Sequence, residues 1–188
     1  MATKAFYIST AKLKERTPLN LNIEDQLLTM NIWTSQEVYI QPLLGSDLYK
    51  KINADVIAGT LSGNYKTLMD DYILPALEQY AMAESLLFIR YKIMNKSVLG
   101  QNSDNSAPVE QGELKYITGE IKNRAKFYAE RLTGHLMANL TLFPEYTSND
   151  DLDDMQPETS AYFCGIQLDD DGTNLCEYMA GNYRRYWL

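Results

Sequence analysis

The stretch from Tyr65 to about Asn95 constrains the chain more than any other. In steps of three and four, Tyr65, Leu68, Tyr72, Ala76, Tyr80, Ala83, Leu87, Tyr91 and Met94 form one apolar stripe, widened by Met69, Ile73, Leu77 and Phe88. Asp71, Glu78, Ser85 and Lys92 recur seven residues apart and define a narrow polar side. A helix with so wide an apolar surface needs several partners, so it is expected at the centre of the fold. At 1.5 Å per residue it would run roughly 45 Å, and Pro75, which removes a backbone donor and clashes with the preceding turn, is the expected bend. Gly63 breaks the chain upstream, and Asn64 is the expected cap.

The other segments arrange themselves around this helix. Lys4–Thr10 alternates Phe6 and Ile8 with Tyr7 and Ser9, as a short extended start, and Ala11–Arg16 fits one helical turn before Pro18. A helix is expected from Ile23 to about Ile40, capped by Asn22 and carrying Glu24 and Asp25 in its first turn, where the helix dipole favours acids. Pro42 and Gly45 are expected to stop it as a structural turn, with Ser46 capping a helix through Leu48, Ile52 and Val56. Gly59 and Gly63 close that helix. Residues 100–112 read as a polar loop, and a second long helix follows through Leu114, Ile117, Ile121, Ala125, Tyr128, Leu132, Leu136 and Leu140, ended by Pro144. The two long helices match in length and are expected to lie antiparallel.

Beyond Pro144 the character changes. Residues 1–144 hold 15 acids and 15 bases, whereas residues 145–188 hold 10 acids against Arg184 and Arg185, so the whole net charge of −8 lies in this last part. Ala161–Leu168, with Tyr162, Phe163 and Ile166, reads as a strand, Asp169, Asp170, Asp171 and Gly172 as a turn, and Leu175, Tyr178 and Met179 as a return strand. The expected fold is mainly α: a helical bundle with two long helices over residues 1–146, and an extended, acidic, aromatic-ended arm over 147–188 containing a β-hairpin.

The chemistry implied is that of contact rather than reaction. No phosphate-binding loop, nucleophile elbow or paired metal-spaced histidines occur in the sequence, and His135 is its single histidine. An exposed or capped position is expected for it. Cys164 and Cys176 with one histidine do not make a zinc site, and reduced thiols are expected, although a hairpin turning at Asp169–Gly172 would set the two cysteines opposite each other. Asp150, Asp151, Asp153 and Asp154, like Asp169–Asp171, are the residue types that hold hard cations, but neither group has the glycine and closing glutamate of an EF-hand in register. Solvated turns, or acids facing a channel or a partner, are the expected roles, with a low-affinity divalent ion at a subunit contact as the alternative; no resident metal, cofactor or catalytic activity is expected. Clustered cations that would capture nucleic acid are missing from the sequence pattern, since Lys122, Arg124, Lys126 and Arg131 are interleaved with Glu120 and Glu130. Tyr162, Phe163, Tyr183, Arg184, Arg185, Tyr186 and Trp187 are the types that anchor interfaces, and docking on a neighbour or partner is expected for them. No run of eighteen apolar residues occurs, so no membrane span is expected, nor does the start read as a secretion signal.

The run IQPLLGSDLYKKI (Ile40–Ile52) followed by YKTLMDDYILPALEQYAMAESLL (Tyr65–Leu87) resembles the helical head-to-tail connector, or adaptor, proteins of tailed bacteriophages, in particular those of crAss-like and related gut phages. FYISTAKLKERTPL (Phe6–Leu19) and FPEY (Phe143–Tyr146) are similar to the flanking pieces, so the resemblance covers roughly residues 6–146. It implies a virion protein of the head–tail interface, made in the host bacterial cytoplasm. Its copies would form a dodecameric ring between the portal protein and further tail or ring proteins, with the genome passing through the channel without sequence-specific binding. The resemblance carries over no catalytic residues; Pro42 and Gly45 map onto its structural turn. A different class of function is also open: an acidic helical regulatory or scaffolding protein that binds a basic partner through the C-terminal arm. A metal-dependent hydrolase using the aspartate clusters ranks last, because turn-like sequence does not hold carboxylates rigid.

Overall fold

The computed structural model describes residues 5–94, 97–100, 111–148 and 155–158, and the description below concerns these. The chain is mainly helical. Its elements are α1 (Thr10–Arg16), α2 (Asp25–Ser35), α3 (Gln41–Leu44), α4 (Ser46–Ala58), α5 (Gly63–Leu68), α6 (Leu74–Arg90), β1 (Tyr91–Met94), β2 (Ser97–Gly100) and α7 (Gln111–Ala138), followed by a 3₁₀ turn at Pro144–Tyr146.

Two of these helices are longer than their labels, and the reason is proline. A π-turn, Gln36–Ile40, joins α2 to α3, and a second, Met69–Ile73, joins α5 to α6. In the first, the Gln41 N–H donates to the Gln36 carbonyl five residues back, and in the second the Leu74 N–H donates to the Met69 carbonyl. Each bond falls one residue before a proline, Pro42 or Pro75. A proline inside a helix has no N–H and presses on the carbonyl four residues earlier; one wider turn accommodates that clash and lets the helix continue. Pro42 therefore does not stop the first helix, contrary to expectation. Gly45 does, at φ +75°, where it is at once the C-cap of α3 and the N-cap of α4.

Several expected caps are replaced by other contacts. Glu24, not Asn22, is the N-cap of α2, and it makes no side-chain capping bond. Lys14 anchors this start instead: its Nζ donates to the carbonyls of Leu21 (3.0 Å) and Ile23 (2.6 Å) and pairs with Asp25 at 2.8 Å. Helix α5 begins at Gly63, so Asn64 is already inside it. Gly59 ends α4 in the left-handed region, as expected. Helix α6 stops at Arg90, where β1 pairs antiparallel with β2, Tyr91 facing Gly100 and Met94 facing Ser97. The helical period that runs on past Arg90 in sequence is thus overridden by strand pairing. Helix α7 ends at Ala138, before Pro144; the Asn139 side chain donates to the His135 carbonyl at 2.8 Å and covers its last turn.

Helix α6 lies between α2 and α7. It runs antiparallel to α7, as expected, because Tyr72, in the turn before α6, stacks on His135 while Glu84 pairs with Lys122. The core is built from Leu13, Leu28, Ile32, Ile40, Leu44, Leu48, Ile52, Leu68, Ile73, Leu77, Leu132, Leu136 and Phe143, all fully buried. Each contributes about 1.5–3 kcal/mol of transfer free energy, most of it offset by lost chain entropy.

Of the narrow polar side expected of the central helix, Asp71 is exposed, but Glu78 and Ser85 are buried. Glu78 is 7% exposed and Ser85 0%. The Arg16 guanidinium meets Glu78 Oε1 at 2.9 Å, and Asn31 Nδ2 donates to Ser85 Oγ at 3.2 Å, so α1 and α2 are keyed onto α6 through polar contacts. Truncating Arg16 would leave Glu78 buried without that ion pair, and truncating Asn31 or Ser85 would remove a bond between two buried side chains, which is why such pairs fix one packing register. The start of the chain is held similarly. Gln36, fully buried in its π-turn, accepts from the Tyr7 N–H (3.0 Å) and donates to the Ala5 carbonyl (2.9 Å), as a neighbouring strand would. Tyr7 and Ile8 are both buried and Phe6 turns outward against Trp33, ring centres 5.5 Å apart, so the expected alternation of residues 4–10 does not occur.

Candidate functional site

Three groupings of polar or aromatic side chains stand out. The first joins three helices. Tyr39, in the π-turn before α3, stacks face to face on Tyr80 of α6 at 4.1 Å, and its hydroxyl donates to Glu84 at 2.7 Å. Lys122 of α7 pairs with the same carboxylate at 3.1 Å and donates to the Tyr39 oxygen at 3.4 Å. Burial, reinforced by the carboxylate, pushes the Tyr39 hydroxyl up, and burial beside Tyr39 does the same for Tyr80. For Glu84, burial opposes ionisation, but the bonds from Tyr39 and Lys122 outweigh it and hold the carboxyl below its ordinary range. Burial likewise opposes the Lys122 charge, and Glu84 outweighs it. Each partner therefore stabilises the protonation state the others need. The arrangement is an interhelical lock rather than a base awaiting a substrate, because the donors on Glu84 come from the fold itself.

The second grouping closes the opposite end of the α6–α7 pair. His135 stacks on Tyr72 at 4.0 Å, Arg131 lies over the same ring at 4.8 Å, and Tyr65 donates to Glu145 at 2.6 Å while meeting Phe143 edge to face. Burial and the neighbouring Arg131 charge both hold the His135 pKa below its ordinary value. His135 is thus a half-buried packing residue whose carbonyl is capped by Asn139, where the sequence suggested an exposed or capped one.

The third is the corner between α3 and α4, the expected turn of Pro42 and Gly45. Residues 155–158, from beyond the expected body boundary at 146, return to it. The Ser46 N–H donates to the Met155 carbonyl (3.0 Å), Ser46 Oγ accepts from the Met155 N–H (2.7 Å), and the Glu158 N–H donates to the Pro42 carbonyl (2.8 Å). One short segment thereby satisfies an orphan carbonyl at the end of one helix and an orphan N–H at the start of the next. Ser46, expected as an N-cap, instead receives this segment. Ser148 adds a bond to Asp47 at 3.1 Å.

Of the residues singled out in the sequence, Pro42 and Gly45 are thus at a docking corner. Asp150, Asp151, Asp153, Asp154, Asp169, Asp170, Asp171, Tyr162, Phe163, Tyr183, Arg184, Arg185, Tyr186 and Trp187, with both cysteines and the hairpin expected around them, lie outside the described residues. Among the described residues there is no group of three or more His, Cys, Asp or Glu side chains placed to hold a metal ion, and no helix long and apolar enough to cross a membrane. The expected mixed face of α7 divides: Lys122 and Arg131 contact α6 and Tyr72, Lys126 faces Glu130 at 4.0 Å, and Arg124 is exposed.

Sequence reasoning missed the exposed apolar side chains on the outer surfaces. Tyr116 and Phe127 on α7 are 70% and 63% exposed, and Met30 on α2 is 60% exposed, with Val38 also outward. Their signal was present as apolar residues off the buried stripe of each helix, whereas Leu87 and Ile117, expected on those stripes, are 45% and 43% exposed because nothing in the described chain covers them. Residues 40–155 match the model of a family of unknown function, DUF6712, and the chain belongs to that family. No curated protein and no solved structure matches it.

Proposed function

We propose that this member of the DUF6712 family is a structural virion protein, the subunit of a homo-oligomeric ring at the head–tail junction of a tailed phage. In this reading the ring sits between the portal protein and further tail or ring proteins and lines the channel through which the genome passes. The resemblance of residues 6–146 to head-to-tail connectors supports the reading. The observation that carries it is a pair of outward apolar surfaces: α2 and α7 both pack on α6, α7 exposes Tyr116 and Phe127, and α2 with the π-turn after it exposes Met30 and Val38. Two different surfaces on two sides of one subunit are what a head-to-tail contact needs, and such contacts close into rings when the rotation permits. The interhelical locks suit a subunit that must keep its shape under assembly. The excess of acids after residue 144 suits a channel or a partner-facing surface from which DNA is repelled.

Mass in solution and negative-stain imaging test this, on the full chain alone and mixed with the portal protein of the same phage. Rings of one uniform copy number, formed alone or on the portal, are expected. A chain that stays monomeric and leaves the portal bare in both conditions overturns the proposal.

A further inference from the structure

The clip of residues 155–158 is held on the α3–α4 corner through its backbone. Both bonds between Met155 and Ser46, and the bond from Glu158 to Pro42, use main-chain groups of the clip. Met155, Gln156 and Glu158 are exposed, and Pro157 is half-buried. Main-chain bonding of this kind fixes an extended segment and its direction, and the bonds are the same whichever copy of the chain supplies the segment.

Charge and reach say which copy supplies it. Ser148 bonds to Asp47 at 3.1 Å and Met155 to Ser46 at 2.7 Å, so within one chain residues 148 and 155 return to neighbouring positions. The six residues between them include Asp150, Asp151, Asp153 and Asp154 and no lysine or arginine. Closing that stretch on itself gathers four like charges beside the Asp47 carboxylate, which Lys50 meets at 3.4 Å. Like-charged linkers repel themselves and extend. Extended, the seven steps from Ser148 to Met155 span about 23–25 Å. Equivalent points on neighbouring subunits draw together toward the axis of a ring, so a corner on the channel side is the one that such a span reaches.

We infer that the clip is exchanged in the assembled protein: residues 155–158 of each chain seat on the corner of residues 42–46 of a second copy. The inference rests on the ring reading and specifies one of its contacts. Exchange keeps all three bonds of the clip, relieves the charge gathered by the closed loop, and ties each subunit to the next. It also strings the aspartates between subunits on the channel side, where like charge keeps DNA from sticking.

Cross-linking tests the exchange in the full chain with Cys164 and Cys176 replaced by serine. Lys50, one turn after Ser46 on α4, and Gln156 are both exposed, so cysteines there leave the three bonds of the clip in place. Lys50→Cys and Gln156→Cys are made in separate preparations, combined where rings form, with the portal if it is required, and treated with a short thiol-to-thiol linker. The expected product is a mixed covalent dimer, and a chain carrying both cysteines is expected to give a ladder of linked chains. Rings in which that chain links only to itself overturn the inference and leave the ring reading standing. A self-linked chain that stays monomeric even with the portal defeats both. Deleting residues 149–151 shortens the span to about 13–14 Å and is expected to abolish the mixed dimer. A mixed dimer that persists would mean corners that merely lie close together, and overturns the inference. Replacing the four aspartates by asparagine is expected to raise the ratio of internal to inter-chain links several-fold in the doubly substituted chain; an unchanged ratio counts against exchange driven by charge.

Discussion

At the scale of single residues, the polar side chains within the bundle decide more than their number suggests. Glu78, Ser85, Asn31 and Gln36 are all buried, yet each has a partner on another element or on the chain's own start. An apolar core tolerates small slips between helices, whereas a displaced hydrogen bond leaves two desolvated groups unpaired at about 1–3 kcal/mol each. His135 gives the clearest pH signature. Its pKa in the folded chain is held below the ordinary value of about 6.5, so the unfolded chain takes up its proton first as pH falls. The contribution of neutral His135 is therefore full above about pH 6.5. It declines as pH falls through the window between that value and the lower folded one, and levels off beneath it. Denaturant unfolding at a series of pH values from 8 to 5 should show this decline, and His135→Phe, which keeps a ring against Tyr72, should remove that portion of the slope.

At the scale of elements, the two π-turns and the glycines do opposite work. The π-turns let helices run through Pro42 and Pro75, and the first places Gln36 and Tyr39 where they reach the N-terminal segment and α6. Gly59 ends α4 at φ +67°, a conformation in which a side chain is strained even though space is open around it. Gly119 sits in a helix with equally open space. Alanine should thus have opposite signs at the two positions. Gly59→Ala should cost about 1 kcal/mol by forcing a left-handed alanine, and Gly119→Ala should stabilise the monomer by about 0.5–1 kcal/mol through helix propensity. Urea midpoints at low protein concentration, where assembly does not add to stability, measure both.

At the scale of the whole molecule, α6 is covered by α2 on one side and α7 on the other, and residues 155–158 clip onto the corner of α3 and α4 from outside. Stability should follow that layering, because opening α6 exposes the core whereas opening the clip exposes little. Hydrogen exchange is expected to be slowest in α6 and fast at Met155 and Glu158, whose N–H groups bond only to the corner. Slow exchange at those two amides that tracks global unfolding would instead make the clip part of the cooperative core.

The sequence by itself determined most of the helices, the buried stripes apart from Leu87 and Ile117, which are exposed, and Tyr91 and Met94, which lie in β1, the close of α4 at Gly59 and the antiparallel match of the two long helices. These follow from periodicity, local backbone preference and length. It also set the uneven charge, which is a property of order along the chain and needs no fold. Tertiary structure alone decided that Pro42 interrupts nothing, because the clash is relieved by a wider turn that composition does not announce. It decided that Glu78 and Ser85 on the central helix face inward, because Arg16 and Asn31, distant in sequence, meet them there. It decided too that Tyr116 and Phe127 remain outside, because a helix surrounded by neighbours and one with a free side carry much the same residues, and only the packing tells which side is left over.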